Sequence, residues 1–459
     1  MLKRLFICSL ALFGYLGFAQ QNTTRTFNLE EAIVFAIDSN YTAINARRDI
    51  AIALKLKWET TATGLPQLDG NINYNNNLKQ PVTLIPGEIA GGAPGTFVPV
   101  TFGTEENASA VATLNQLIFD GSYLVGLKAA KAFLDFSENA AEKTNLEIRK
   151  GVINAYGSVL VSEEFIAIFE KNKANLDKNL YETQKVYENG LTEEESVEQL
   201  EITLLEIETQ LNNARRIRTI ARQMFNIALG IPVEEEVILE DSLANLAQDN
   251  LSLSLMDNSL NLEENVDYKI AYNLTEQRSL EIQLEKSRAL PTLTAFVNYG
   301  TSGFSDSFTF LNSDQIWFQS SVLGLSLNVP IFSSGMRSAR TQQAKIAFEQ
   351  AKTKLEETKQ NVQLELNTAK SNYQFAVENY ENSKKNIALA ERIENKNQVK
   401  FTEGLSTSFD LRQAQTQLYT AQQRYFQSLI DVINAKANLE TILNIPDLRI
   451  DSEEMKKGY

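Results

Sequence analysis

Histidine is absent from the 459 residues, and the single cysteine, Cys8, falls within the first twenty. The first absence removes Ser-His-Asp and Cys-His activation of a nucleophile, and with it any imidazole-ligated metal site. The second leaves everything after residue 20 without a thiol, so disulfides play no part there. No glycine-rich phosphate-binding loop can be found either, and these absences together argue against an enzyme, a metal or a bound cofactor. Positive charge is also short. Lys and Arg number 43 against 58 Asp and Glu, a formal net charge of −15, which argues against nucleic acid or an anionic membrane surface as partner.

Long apolar runs are confined to the N-terminus, MLKRLFICSLALFGYLGFAQ. Lys3 and Arg4 precede an apolar run from Leu5 to Leu16, and Gly17-Phe18-Ala19 supplies a small-x-small cleavage site. That layout is a secretory signal over residues 1–19. Isoleucine before Cys8, and the early position of Cys8, argue against lipid attachment. Nothing after residue 20 reads as a transmembrane helix. The last scarcity is the most telling: from Tyr123 to Leu229 there is no proline, and only Gly126, Gly151 and Gly157 accompany Gly190. A glycine–leucine step therefore interrupts a long helical run at Gly190–Leu191, and the same step recurs at Gly404–Leu405.

What is present is a chain written twice. An offset of 225 carries LPQLDGNINY at 65–74 onto LPTLTAFVNY at 290–299, and LNQLIFDG at 114–121 answers LNVPIFSSG at 327–335. From Gly121 and Gly335 the offset stays at 214 without a gap, through both Gly-Leu steps, to LGIP at 229–232 and LNIP at 443–446. Each copy runs helix, strand, loop, strand, long helix, glycine step, helix. The expected boundaries are a first repeat over 20–232, an equatorial linker over 233–265, a second repeat over 266–446 and a tail over 447–459. The linker and tail are expected to wrap the helices as a collar.

Helical seams are legible in both copies. Phe348, Leu355, Val362, Ala369 and Ala376 recur every seven residues, and Ala414, Leu418, Ala421, Tyr425, Ser428, Val432, Ala435, Leu439 and Ile442 alternate by four and three. The first-copy equivalents, Leu200 to Ala228, are broken only at Arg218. This is coiled-coil spacing, which by itself also fits a soluble rod. The arm before Gly190 is about 67 residues, near 100 Å of helix, and the return arm about 39 residues, some 58 Å. Shorter helices over about 28–61 and 266–288 are expected to complete the long arms.

Strands are expected at about 66–78, 107–119, 291–303 and 317–331, each near the length that crosses a bilayer when tilted. The connection at 79–106 holds four of the nine prolines and five glycines, and is expected to be an irregular loop. Tyr74, Tyr299, Phe304, Phe308, Phe310, Trp317 and Phe318 gather around the strands, as in a sandwich core or the aromatic girdle of an outer-membrane barrel. Four strands do not close a barrel, and open edges are not tolerated in lipid. Two copies would give eight strands with a filled interior and three would give twelve with room for a channel; a conduit favours three.

Signal segment, duplication, paired strands and two long helical hairpins together resemble the TolC-like outer-membrane efflux proteins over essentially the whole chain after the signal. LPQL at 65–68, LNQLIFDG at 114–121, the steps ENGLT and EGLS, and FDLRQAQ at 409–415 carry the likeness. The resemblance implies a mainly α fold with a membrane β part: a homotrimer whose shared 12-stranded β-barrel in the outer membrane continues into an α-helical barrel in the periplasm. It implies a passive duct of a tripartite efflux pump or type I secretion system, exporting small molecules or proteins. Its implied partners are outer-membrane lipid, a periplasmic adaptor (membrane fusion) protein and, through it, an inner-membrane transporter. Gly190, Leu191 and Thr192, with Gly404, Leu405 and Ser406, would be the adaptor-docking tips. Each Gly-Leu also reads as a plain helix C-cap with its apolar contact. Asp410, Gln413, Ser196 and Gln199 fall where the family lines its periplasmic pore entrance, with Asp410 the one acidic position; solvated surface is the other reading of Asp410. Glu193, Glu194 and Glu195 suit a helix first turn. A structural or adhesive periplasmic coiled-coil protein with a β head is the rival reading.

Overall fold

The computed structural model describes residues 25–258, 261–446 and 448. The predicted signal segment, with Cys8, and nearly all of the tail therefore lie outside the described residues. In chain order the elements are β1 (Arg25–Phe27), α1 (Leu29–Ser39), α2 (Tyr41–Ala62), β2 (Gln67–Asn76), β3 (Val82–Pro86), β4 (Phe97–Thr101), β5 (Glu106–Phe119), α3 (Gly121–Glu188), α4 (Glu194–Leu229), β6 (Val237–Leu239), α5 (Leu243–Asp249), α6 (Val266–Ser287), β7 (Thr292–Ser305), β8 (Trp317–Asn328), α7 (Met336–Thr402) and α8 (Ser408–Ile442). The four expected strands and both helical hairpins are present within a few residues of their expected ends. The chain divides into two compact units, one built on Asn139–Lys269 with the described parts of Met1–Arg48 and Thr358–Asp451, the other on Asp49–Glu138 and Ile270–Glu357.

The first unit is helical, and its core lies along the predicted seams. Leu200, Ile207, Leu211, Ala214, Ala221 and Phe225 of α4 are buried, as are Ala414, Leu418, Ala421, Ser428, Val432 and Leu439 of α8. On α7, Val362, Ala369 and Ala376 are buried too. Tyr156 of α3 is fully enclosed and ties three segments together. Its hydroxyl lies 2.8 Å from Asp241 Oδ2 and 3.1 Å from the Phe27 carbonyl, while the Leu29 N–H donates to the same Asp241 oxygen at 2.7 Å. Burial, reinforced by the hydrogen bond to Asp241, pushes the Tyr156 hydroxyl pKa upward. The expectation that no helix after residue 20 resembles a membrane span needs correction. By length and composition α3 contains one such window, half of it buried. Its apolarity is that of a core helix, since Val152, Tyr156, Val159 and Leu160 are all buried against neighbours.

A second correction concerns the helix expected over 28–61. It is two helices, broken at Asn40, whose ψ of 135 leaves the helical region. The break does work at another helix end. Asn40 Oδ1 accepts from Thr42 N–H at 2.8 Å, starting α2, and Asn40 Nδ2 donates to the Ala228 carbonyl at 2.8 Å, in the last turn of α4. The second copy repeats the joint at the same offsets. Asn265 Oδ1 accepts from the Asp267 and Tyr268 N–H groups at 3.0 and 3.1 Å, starting α6, and Asn265 Nδ2 donates to the Ile442 carbonyl at 3.0 Å, ending α8. One asparagine in each copy thus serves two sets of helix-end groups that have no partner inside their own helix. The linker, too, is more ordered than its composition suggests: β6 pairs in parallel with β1, and the short helix α5 follows.

The second unit is built around one antiparallel sheet, in the order β2-β5-β7-β8. Its two faces separate by chemistry. Leu68, Ile72, Ala110, Leu114, Val297, Tyr299, Leu323, Leu325 and Leu327 share one face, while Asp69, Asn71, Asn73, Thr113, Asn115, Asn298, Ser320 and Ser326 share the other. The apolar face is exposed, notably at Leu68, Ile72, Leu323 and Leu325. At one end of that face Tyr74 packs on Phe308 and Phe310 at 5.6 and 5.9 Å, and Phe310 lies 6.1 Å from Trp317. The connection at 79–106 is not irregular throughout, contrary to expectation. β3 and β4 form a two-stranded ribbon around a short 3₁₀ turn, because the prolines sit at its ends and on edges where no ladder N–H is needed.

Substituting Asn265 tests the joint. Asn265→Ala removes a cap and strands the Ile442 carbonyl, so unfolding free energy should fall by about 1–3 kcal/mol. Asn265→Asp keeps the acceptor that starts α6 and loses the donor that ends α8, so its loss should be smaller. Denaturant unfolding of the purified protein measures both.

Candidate functional site

The two hairpin tips are built alike from the residues upward. At Gly190, φ is 74, and at Gly404 it is 72, the left-handed region in which a side chain is strained. Each tip then closes a paired cap on the long helix before it. Gly190 N–H donates to the Tyr187 carbonyl at 2.8 Å and Leu191 N–H to Val186 at 3.1 Å; Gly404 donates to Phe401 at 3.0 Å and Leu405 to Lys400 at 2.7 Å. A Cβ at either glycine would meet nothing within 4 Å, so backbone conformation alone demands glycine there.

The same cap ends both return helices, α4 and α8, and the contrast is informative. Gly230, with φ 78, donates to Ile227 at 3.0 Å, and Ile231 donates to Asn226 at 3.0 Å; Asn444, with φ 58, and Ile445 repeat the pair. In the first of these the apolar residue after the turn is put away, Ile231 being 5% exposed. At the tips Leu191 is 77% and Leu405 78% exposed. The cap therefore does not require an exposed apolar residue. Leaving each leucine in water forgoes about 1.5–3 kcal/mol of burial.

Beyond the turns the two tips differ. Thr407 caps α8, and Asp410 closes a capping box on it: Thr407 Oγ1 and N–H donate to Asp410 Oδ2 at 2.7 and 3.1 Å, and Ser406 Oγ reaches the same oxygen at 3.3 Å. The Thr407 hydroxyl bond, then its N–H, Ser406 and the Lys400 charge hold the Asp410 carboxyl below the usual range. A lowered folded pKa means that this contribution is complete above the unfolded value and is lost as pH falls through the folded one. The first tip has no such box. Glu193 precedes α4 without a side-chain cap, and Thr192 Oγ1 donates to Ser196 Oγ at 3.3 Å. Ser196 and Gln199 turn toward the second hairpin, where Ser408 Oγ donates to Ser196 Oγ at 3.2 Å and Gln199 Oε1 at 3.3 Å. Gln413 is exposed. The structure thus brings Ser196 and Gln199 together through Ser408, while Asp410 is engaged with its own helix start.

Residues that sequence reasoning missed hold the hairpins to each other. Asn172 Nδ2 donates to Gln422 Oε1 at 3.0 Å, with both residues buried, and Asn179 and Gln398 exchange amide hydrogen bonds at 2.9 and 3.0 Å. Comparing the copies could have found this. Lys173–Glu208, Glu170–Arg215 and Glu163–Arg222 cross the first hairpin at 3.2, 2.8 and 2.7 Å. Their repeat equivalents, Ile387 and Gln422, Lys384 and Leu429, Val377 and Lys436, form no such pairs. The second hairpin thus replaces each acidic partner and both arginines, leaving Lys384 and Lys436 among apolar and amide residues.

A family model described as "Outer membrane efflux protein" matches residues 60–230 and 260–444. No curated protein matches the chain. Among solved structures, the outer membrane protein VceC of Vibrio cholerae has a TM-score of 0.70 at 14% identity, covering 90% of this chain and 95% of that one. The CmeC outer membrane channel of Campylobacter jejuni reaches 0.73 at 14%, covering 94% and 88%. The open-state MtrE outer membrane channel of Neisseria gonorrhoeae reaches 0.64 at 16%, covering 90% and 88%. At such identities the likeness is one of fold.

The chain's own use of asparagine at the fourth cap predicts how a tip tolerates change. Gly404→Ala should destabilise the turn by about 1 kcal/mol, whereas Gly404→Asn should cost less, because asparagine tolerates the left-handed region. Amide exchange at Leu405 and Ser406 reads the difference; equal protection in the two variants would remove the backbone argument.

Proposed function

This chain belongs to the outer membrane efflux protein family, and on that premise we propose that three copies close a single export duct. Membership makes it an outer-membrane efflux protein with a periplasmic helical extension. The observation that carries the proposal is the sheet: four strands, two open edges, one apolar face and one polar face. Open edges are not tolerated in lipid, and a single copy has no means of closing them. Three copies supply twelve strands, with Leu68, Ile72, Leu323 and Leu325 toward lipid and the asparagine-rich face toward a water-filled lumen. The helices also call for a neighbour. Opposite its buried seam, α4 carries exposed Ile202, Leu205, Ile217, Ile220, Met224 and Ile227, a second apolar stripe of the kind that helix partners cover.

The duct is passive, and the energy and choice of cargo, small molecules or proteins, lie with an inner-membrane transporter. Leu191 and Leu405 are the knobs that a periplasmic adaptor's helical hairpin buries, with Gly190, Thr192, Gly404 and Ser406 shaping the turns. Six such tips face the adaptor in a trimer. Asp410 contributes one carboxylate per copy at the entrance, with Gln413 beside it and Ser196 and Gln199 at the equivalent place in the first copy.

Extraction from outer membranes as a heat-dissociable trimer is expected, and a soluble monomer would sink the proposal. Cysteines at Leu191 and Leu405 should capture an adaptor by crosslinking, and Leu191→Asp with Leu405→Asp should abolish export while leaving the trimer intact. In a planar bilayer, Asp410→Ala should weaken conductance block by divalent cations. Unchanged block would place Asp410 away from the entrance.

A further inference from the structure

The β3–β4 ribbon presents an apolar face that its own chain leaves open. Val82 and Leu84 share that face with Phe97 and Pro99 by register, and all four are exposed, Leu84 at 62%. Neither ribbon strand carries a charged residue. Glu88, in the turn between them, is occupied in accepting the Gly95 N–H at 3.1 Å. An isolated two-stranded ribbon is marginal in water, so a face of this kind calls for a covering layer.

The topology indicates what covers it. The ribbon lies in the connection 77–105 between β2 and β5, and β2 is one open edge of the sheet. The connection 306–316 leads into β8, the other open edge. Both connections leave the same end, because Asn76, Glu106 and Ser305 lie in one row of the register, and Glu105 N–H donates to Asp306 Oδ1 at 3.2 Å at their bases. β2 and β8 run in opposite directions, so β8 of one copy can continue antiparallel onto β2 of the next. That closure sets the 306–316 connection of one copy beside the ribbon of its neighbour. This connection exposes Leu311, at 86%, and Ile316.

Lipid is the weaker candidate. The apolar face of the sheet ends in the Tyr74, Phe308, Phe310 and Trp317 cluster, the position of an interfacial aromatic girdle. Asn75, Asn76 and Asn77 then intervene before the ribbon begins. The ribbon strands also lack the basic residues that an anionic headgroup surface attracts.

We propose that the Val82, Leu84 and Phe97 face of each ribbon packs on Leu311 and Ile316 of an adjacent copy, so that the ribbons fasten the rim of the barrel. This rests on the shared-barrel reading, and the test separates the two. Two double variants of the full chain are incorporated in outer membranes: Leu84→Cys with Leu311→Cys, and, for the sheet edges, Asn71→Cys with Ser320→Cys. The chain's only cysteine lies in the predicted signal segment, so background is low. A long flexible bismaleimide should convert both into covalent dimers and trimers, and Leu84→Cys alone should remain monomeric on denaturing gels. Edge crosslinks without Leu84–Leu311 crosslinks would overturn the packing and leave the shared barrel standing. So would self-crosslinking of Leu84→Cys alone, or quenching of a fluorophore at that cysteine by lipid-borne nitroxide. Absence of crosslinks from both pairs would overturn the shared barrel and the packing with it.

Discussion

A strand edge carries N–H and C=O groups that hydrocarbon cannot satisfy, and this sheet has two open edges. The remaining features of the second unit are arranged around that constraint. One face is apolar along all four strands, whereas the other is rich in asparagine, serine and threonine, so a closed ring of copies with the apolar face outward would be dry outside and wet inside. Alternation along each strand sets this division, and a slip of one residue would invert it. The antiparallel order is equally important, since β2 and β8 run oppositely and copies can join without a change of pattern.

The helical unit meets a different constraint, that of ending long helices inside protein. Its solution is duplicated with the chain. Asn40 and Asn265 each start one helix with the side-chain oxygen and finish another with the side-chain nitrogen. An amide carries donor and acceptor on separate atoms, whereas an ionised carboxylate only accepts, so Asp would serve only part of the joint. The copies nevertheless diverged in what holds each hairpin. The first hairpin is crossed by ion pairs such as Glu170–Arg215, which at this exposure contribute little to stability, and the second copy has no acidic partner at the equivalent positions. Asn172–Gln422 and Asn179–Gln398 join the hairpins without charge, so salt screens them little.

The tips show where a single residue type carries two readings. A paired cap after a helix with glycine and then an apolar residue is ordinary, and at Gly230–Ile231 it is no more than that. What separates Leu191 and Leu405 from Ile231 is exposure, which depends on the rest of the fold. Asp410 shows the reverse. There the local role is the visible one, its oxygen accepting from Thr407 and Ser406 at the start of α8.

Sequence alone determined the duplication, the four strands, the hairpins and the place of both turns. Those features rest on local periodicity, on glycine's backbone freedom and on an offset that can be counted. The tertiary structure decided the rest. The β1–β6 pair joins three-residue strands more than two hundred positions apart, too short for any period to show. The break at Asn40 is legible only beside Ala228, whose carbonyl it caps. The ribbon within 79–106 was hidden because its prolines signal loop, though they occupy positions where a two-stranded ladder spares the N–H. Ser196 and Gln199 likewise reveal their partner, Ser408, only when the two hairpins lie side by side. In each case the deciding contact joins residues remote in sequence, and neither propensity nor spacing encodes which distant group will supply the missing hydrogen bond.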